Sequence, residues 1–198
     1  MKRLGNFSMI KGSFFLLLLF GLVLFSGCGS DSGGKSGEEE GSSSDSADLT
    51  SFQTTDIYGE EKDQSIFEDY TLTMVNIWGT FCPPCLEEMP YLGEIQKEYE
   101  PKGVNVVGIV VDVQDMKLAP IEDQITLAKE IAEETGADYT HLLISEEILD
   151  SVVSRFDSIP VTFFVDSTGK IVSEIYVGGR EKKDWVDIIE ETLKNQES

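Results

Sequence analysis

Histidine is nearly missing from this chain. His141 is the only one among 198 residues, and cysteine occurs just three times, at Cys28, Cys82 and Cys85. A tetrahedral zinc site needs four ligands, so the Cys82-x-x-Cys85 pair cannot be completed into a structural metal centre from these parts. Basic residues are scarce as well, with 15 Lys and Arg against 37 Asp and Glu and a net charge of −22. A surface of that sign repels phosphate backbones and anionic headgroups, which argues against nucleic acid as a partner. The acids themselves read as a solvated surface without catalytic meaning. Long apolar runs are absent too: Phe14 to Phe25 spans only twelve residues, whereas an ordinary membrane-spanning helix needs about 20.

What stands in place of a spanning helix is an export signal. Lys2, Arg3 and Lys11 precede the short apolar run, and residues 1–27 read as a signal peptide. Leu24-Phe25-Ser26-Gly27-Cys28 resembles a bacterial lipobox, with Phe25 where the pattern usually has Leu. That resemblance implies diacylglyceryl modification of Cys28 and stable attachment to a membrane. From Gly29 to Asp48 the composition falls to Gly, Ser, Asp and Glu, too polar to bury a core. Residues 28–48 therefore read as a flexible tether with a reach of roughly 25 Å. A single domain is expected over 49–198.

Within that domain, Phe52–Gly59 and Gln64–Phe67 predict a short hairpin or edge pair. Leu72–Ile77 and Val104–Val111 are β-branched apolar runs that predict buried strands. Helical spacing is predicted over Glu87–Tyr99, with a kink at Pro90, and over Ile121–Gly136 and Glu146–Phe156. Tyr139–Ile144 is a further strand, Ile159–Val165 and Ile171–Tyr176 predict a hairpin, and a last helix carries Trp185, Ile188, Ile189 and Leu193. This order predicts an α/β fold: a central mixed sheet with helices on both faces.

The chemistry concentrates at Trp78-Gly-Thr-Phe-Cys82-Pro83-Pro84-Cys85-Leu-Glu-Glu88, a strand-to-helix corner. Unpaired N–H groups and the dipole at a helix start favour thiolate over thiol. Proline is tolerated in that first turn, where the N–H has no helical partner. Cys82 is then the attacking sulfur and Cys85 the one that resolves a mixed disulfide. A purely structural disulfide is the competing reading, but so short a loop removes little chain entropy.

Asn76-Ile-Trp78-Gly-Thr-Phe-Cys82-Pro-Pro-Cys85, Pro90, Ile159-Pro160, Val165-Asp166, Gly169-Lys170-Ile171 and Gly178 together resemble the thioredoxin fold, in its membrane-tethered extracytoplasmic branch typified by TlpA and ResA. The resemblance runs from about Leu49 to the C-terminus. It implies a thioredoxin-like fold with an N-terminal β-hairpin extension and a helical insertion before the cis-proline strand. Pro160 would be that cis proline, and Ile159 would offer its backbone to a substrate cysteine segment. Phe81, Pro83 and Pro84 would complete the substrate-binding surface. Asn76 stands where cytoplasmic thioredoxins carry a buried Asp, and Glu88 matches an acid near the cysteines in ResA-like proteins. Glu88 is accordingly expected to move the Cys85 proton, against the competing reading of a first-turn acid answering the helix dipole. Trp78 and His141 are read as packing residues. The implied protein is a monomeric, lipid-anchored extracytoplasmic reductase of protein disulfides. It would be recycled by an upstream membrane thiol carrier and would need no cofactor beyond its own Cys82–Cys85 disulfide. A disulfide-forming oxidase, a peroxidase-type relative and a Cu(I) carrier using the two soft thiolates are the alternatives.

Overall fold

The computed structural model describes residues 47–196. The expected signal peptide, Cys28 and the expected tether up to residue 46 lie outside the described residues, among which no helix is long and apolar enough to cross a membrane.

Two runs of β-branched and apolar residues form the centre of the sheet. Strand β3 (Leu72–Trp78) is buried at every position, and β4 (Val104–Val110) at nearly every one, as strands covered on both faces require. They lie parallel in a register that sets Leu72 beside Val104 and Trp78 beside Val110. Outside β4 comes β5 (Thr140–Leu142), also parallel. On the other side β6 (Val161–Val165) runs antiparallel to β3, and the two-residue β7 (Tyr176–Val177) closes that edge. The strand order is β5-β4-β3-β6-β7.

Alternation along the strands divides the core in two. Met74, Trp78, Val106 and Phe164 face helices α1 (Pro83–Tyr99), α2 (Glu122–Thr135) and α4 (Lys182–Gln196), whose Met89, Leu92, Ala128 and Trp185 pack there. Val75, Ile77, Val107 and Phe163 face the opposite layer, formed by Leu49, Phe52, Phe67, Ile148 of α3 (Glu146–Ser151) and Val152 just beyond it. The expected mixed sheet with helices on both faces is the observed fold.

Ahead of the sheet, β1 (Gln53–Thr55) and β2 (Glu61–Asp63) form the hairpin extension. Its second arm lies earlier than the sequence pattern predicts, because the Asp63 carboxylate accepts the Ser65 N–H at 2.9 Å and turns Gln64–Phe67 into a 3-10 helix. The end of β1 and the residues after it lie along the free edge of β5: the Leu143 N–H donates to the Thr55 carbonyl, and the Ile57 N–H donates to the His141 carbonyl, each at 2.9 Å. An otherwise open strand edge is thereby covered. Further upstream, the Leu49 N–H donates to the Gly169 carbonyl at 2.8 Å, at the far end of β6.

Two other predicted elements are shorter than expected. The helix after Ser145 gives way at Val152, whose φ of −131° is not helical, to a 3-10 turn over Val153–Arg155. The strand predicted over Ile171–Tyr176 is reduced to a bridge at Ile171 and to β7. In between, the Phe164 N–H donates to the Ser173 hydroxyl at 2.9 Å, so a side chain occupies a place that a strand carbonyl would fill.

His141 is fully buried between the rings of Trp78 and Tyr139. Its Nδ1 accepts from the Trp78 indole N–H at 3.1 Å and its Nε2–H donates to the Ala137 carbonyl at 3.0 Å, which fixes the neutral tautomer. Burial pushes its pKa down from 6.5 to about 4. Above pH 6.5 both the folded and unfolded states carry it neutral, so nothing is lost. Below that the unfolded chain takes up a proton the folded chain refuses, and stability falls by about 3 kcal/mol once the pH drops past about 4. Urea unfolding at a series of pH values should show this loss, and it should be absent from His141→Gln after the fall common to both proteins is subtracted. Parallel curves for the two proteins would remove His141 from the acid response.

Candidate active site

Strand β3 delivers the chain to its C-terminal edge, where Gly79-Thr80-Phe81 turns it into α1. The Cys82 N–H donates to the Gly79 carbonyl at 3.1 Å to close that turn. Helix α1 starts at Pro83, four residues before the sequence pattern places it. Both prolines fit the first turn, where their missing N–H groups have no helical acceptor to lose. Cys82 is the N-cap. A disulfide joins it to Cys85, with the two Cα atoms 5.3 Å apart. The Cys85 N–H points at Cys82 Sγ, 3.3 Å away. The same N–H, with the dipole behind it, would stabilise the Cys82 thiolate after reduction.

Cys85 is sealed in the core, whereas Cys82 keeps 4% of its surface exposed. That exposure opens into a groove of about 520 Å³, walled by Ile77, Phe81, Pro83, Pro84, Val111, Val153, Phe156 and Ile159, with Asp157 and Ser158 as its polar members. Phe81 stands at the groove with 69% of its surface exposed. The Ile159–Pro160 peptide bond is cis. Ile159 lines the groove, while Pro160 is buried beneath it and its carbonyl accepts the Gly178 N–H at 2.9 Å. The sequence-predicted residues Phe81, Cys82, Pro83, Pro84 and Ile159 thus share one concave surface, with Pro160 supporting it.

Glu88 lies elsewhere. It is 2% exposed, one helical turn beyond Cys85 on the same face of α1, and contributes to a separate polar cleft of about 510 Å³ with Glu87, Tyr91, Arg180, Glu181 and Asp184. Three fixed N–H donors meet its carboxylate. Asn76 Nδ2 reaches Oε1 at 3.0 Å, and the Arg180 backbone N–H and Trp185 Nε1 reach Oε2 at 3.1 and 3.2 Å. Burial lifts Glu88 above the usual carboxylate range, and these donors together with the Arg180 charge offset part of that rise. Asn76 also donates to Thr162 Oγ1 at 2.9 Å. The Arg180 guanidinium lies over the rings of Trp185 and Tyr176, 5.0 and 5.1 Å from their centroids, and donates to the Gly178 carbonyl.

Sequence reasoning missed the groove wall from Val153 and Phe156, the Arg180 and Trp185 contacts with Glu88, and Asp112, which binds Thr80. All come from segments far away in the chain, and no local pattern marks them. Cys28, the predicted lipidation site, lies outside the described residues. A disulfide at a helix start, with one sulfur opening on a groove and the other sealed in the core, is equipped for thiol–disulfide exchange.

Residues 43–190 match the redoxin family. A thiol-disulfide oxidoreductase ResA from Geobacillus kaustophilus is 30% identical over 135 residues, covering 67% of this chain and 69% of that protein. Another, from Bacillus thuringiensis subsp. konkukian, is 28% identical over 145 residues, covering 72% and 73% respectively. Among solved structures, a thioredoxin-family thiol:disulfide interchange protein from Chlorobium tepidum superposes with a TM-score of 0.61 at 25% identity, over 75% of this chain and 97% of that one. StoA from Bacillus subtilis has a TM-score of 0.52 at 19% identity, over 71% and 97%, and shares the fold.

Proposed function

The chain belongs to the redoxin family and is a ResA-like thiol-disulfide oxidoreductase, and from that premise we propose that it reduces protein disulfides outside the cytoplasm while held to a membrane by lipid on Cys28. The observation that carries the site assignment is the Cys82–Cys85 disulfide at the start of α1, with Cys82 alone opening onto the apolar groove beside Ile159.

In the cycle, Cys82 thiolate attacks one sulfur of a partner disulfide and the other partner sulfur leaves as a thiolate. Cys85 loses its proton and attacks Cys82 Sγ. The second partner sulfur then departs, and the enzyme is left as the Cys82–Cys85 disulfide. Two electrons pass to the partner in each round, and a membrane thiol carrier returns them. The free backbone of Ile159 pairs with the partner segment as an added strand, and Phe81, Pro83 and Pro84 shape the groove around it. Glu88 accepts the Cys85 proton. The signal-like N-terminus and lipobox of residues 1–28 support the tethered location, and the acidic composition supports a protein partner over nucleic acid.

Direction is read from the reduction potential. Equilibration with glutathione and dithiothreitol buffers should place the Cys82–Cys85 couple below about −230 mV, on the reducing side of the glutaredoxin range. A value above about −150 mV would make the protein an oxidant of thiols. In a bacterial host, the full chain should partition with membranes and incorporate labelled palmitate, and Cys28→Ala should lose both properties. Palmitate incorporation by Cys28→Ala at the native level would end the lipid-anchor reading.

A further inference from the structure

The loop that leads into Cys82 is fastened from the side by a residue with no assigned part in the exchange. Asp112 lies two residues past the end of β4, in the register that sets Trp78 beside Val110. Its carboxylate accepts the Thr80 N–H, at 3.0 Å to Oδ1 and 3.2 Å to Oδ2, and also the Thr80 hydroxyl. Gly79 is wedged between the parts it joins: a Cβ there would lie 3.0 Å from the Phe81 ring, 3.1 Å from Ile159 Cδ1 and 3.4 Å from Asp112 Oδ1.

Asp112 itself is firmly held. The Val111 N–H donates to the Trp78 carbonyl at 3.0 Å, and the Ile121 N–H donates to the Val113 carbonyl at 2.8 Å. Gln114 grips both backbone groups of Ile144, taking its N–H at 2.7 Å and giving to its carbonyl at 2.9 Å. The loop carrying Asp112 is therefore braced against the chain just beyond β5, while the loop it holds carries the exposed Phe81. Bonds to a carboxylate are the stronger kind, and a pair of them from one residue fixes orientation as well as distance.

We infer that Asp112 is a positioning residue for substrate recognition, holding Gly79–Phe81 so that Phe81 stands as a fixed wall of the groove that receives the partner segment. This rests on the proposed role of that groove. Asp112 touches neither sulfur, so its loss should weaken capture of an extended protein segment and leave exchange with a small disulfide intact.

The test uses insulin and 2-hydroxyethyl disulfide as substrates for wild type, Asp112→Ala, Asp112→Asn, Thr80→Val and the Asp112→Ala/Thr80→Val double variant. Asp112→Ala should raise KM for insulin about tenfold with kcat held, as for the loss of one charge-assisted contact, and change the small-disulfide rate by less than about twofold. Asp112→Asn should stay within about threefold of wild type, since its amide oxygen still accepts the Thr80 N–H. The double variant should be no worse than Asp112→Ala, because both changes cut the same pair. Equal losses on both substrates, unchanged KM for insulin, or additive losses would each overturn the inference. Amide exchange provides a readout independent of turnover: the Thr80 N–H should exchange at least about tenfold faster in Asp112→Ala while β3 amides keep their protection. An unaltered Thr80 amide would equally overturn it. If wild type reduces neither substrate, the groove reading fails and the exchange data still decide whether Asp112 fastens the loop.

Discussion

Replacing Cys85 with alanine is expected to stop turnover, by on the order of a thousandfold or more, and to leave Cys82 bonded to the sulfur it last attacked. The reason is positional. Cys85 is sealed in the core and its Cα lies 5.3 Å from that of Cys82, so no solvent thiol can take its place at Cys82 Sγ from the inner side. First attack needs only the Cys82 thiolate, the N–H groups at the start of α1 and the groove, all of which Cys85→Ala retains. The adduct should therefore accumulate and be visible as a reducible cross-link by mass spectrometry, with the partner identified in the same measurement. Cys82→Ser should give neither turnover nor adduct. Cross-linking by Cys82→Ser, or undiminished turnover by Cys85→Ala, would reverse or remove the assigned order of the two sulfurs.

Glu88→Gln is expected to slow resolution of the mixed disulfide on the order of a hundredfold near neutral pH, the size of a typical proton-transfer contribution. Glu88 can accept the Cys85 proton only while ionised. Its pKa is raised above the ordinary 4.5, chiefly by burial, so the wild-type rate should fall as the pH drops through that raised value. Glutamine takes up no proton. In the variant that acid limb should disappear, and the rate should instead climb with pH as the Cys85 thiol ionises unaided. Glutamine still accepts hydrogen bonds through its one carbonyl oxygen, so stability should change less than rate. Single-turnover measurements from pH 4 upward on the two proteins would decide. A variant whose profile overlays the wild type would leave Glu88 a buried structural acid. The helix-dipole reading falls in either case, because α1 starts at Pro83 and its first turn carries no acid.

The central strands were legible because Leu72–Ile77 and Val104–Val111, like Val161–Val165, combine β-branching with apolar continuity. The cysteine corner was legible from the two prolines and the strand before them, although the helix starts at Pro83 and not at Glu87. Proline lowers helix propensity everywhere except the first turn, so a propensity reading trims the very turn that holds the sulfurs. The hairpin arm was misplaced for a related reason: a single capping carboxylate, Asp63, outweighs the strand preference of Ile66 and Phe67. Ser173 interrupts the last hairpin through one side-chain hydrogen bond that no pattern announces. The surroundings of the site were the least readable part. Asp112 meets Thr80 across 32 positions of chain, and Arg180 meets Glu88 across 92. Such meetings depend on strand register and helix placement, which only the assembled sheet supplies.

The way the chain enters the domain has a mechanical consequence. Leu49 is bonded to Gly169, in the turn after β6. That turn follows Val165, which is paired with Thr73 near the beginning of β3, while Cys82 follows the end of β3 at Trp78. The point of attachment and the reactive pair therefore occupy opposite poles, separated by a strand about 20 Å long. A pull applied to the chain at Leu49 would load the pole remote from the sulfurs, which under the proposed anchoring at Cys28 would leave the reactive end unloaded.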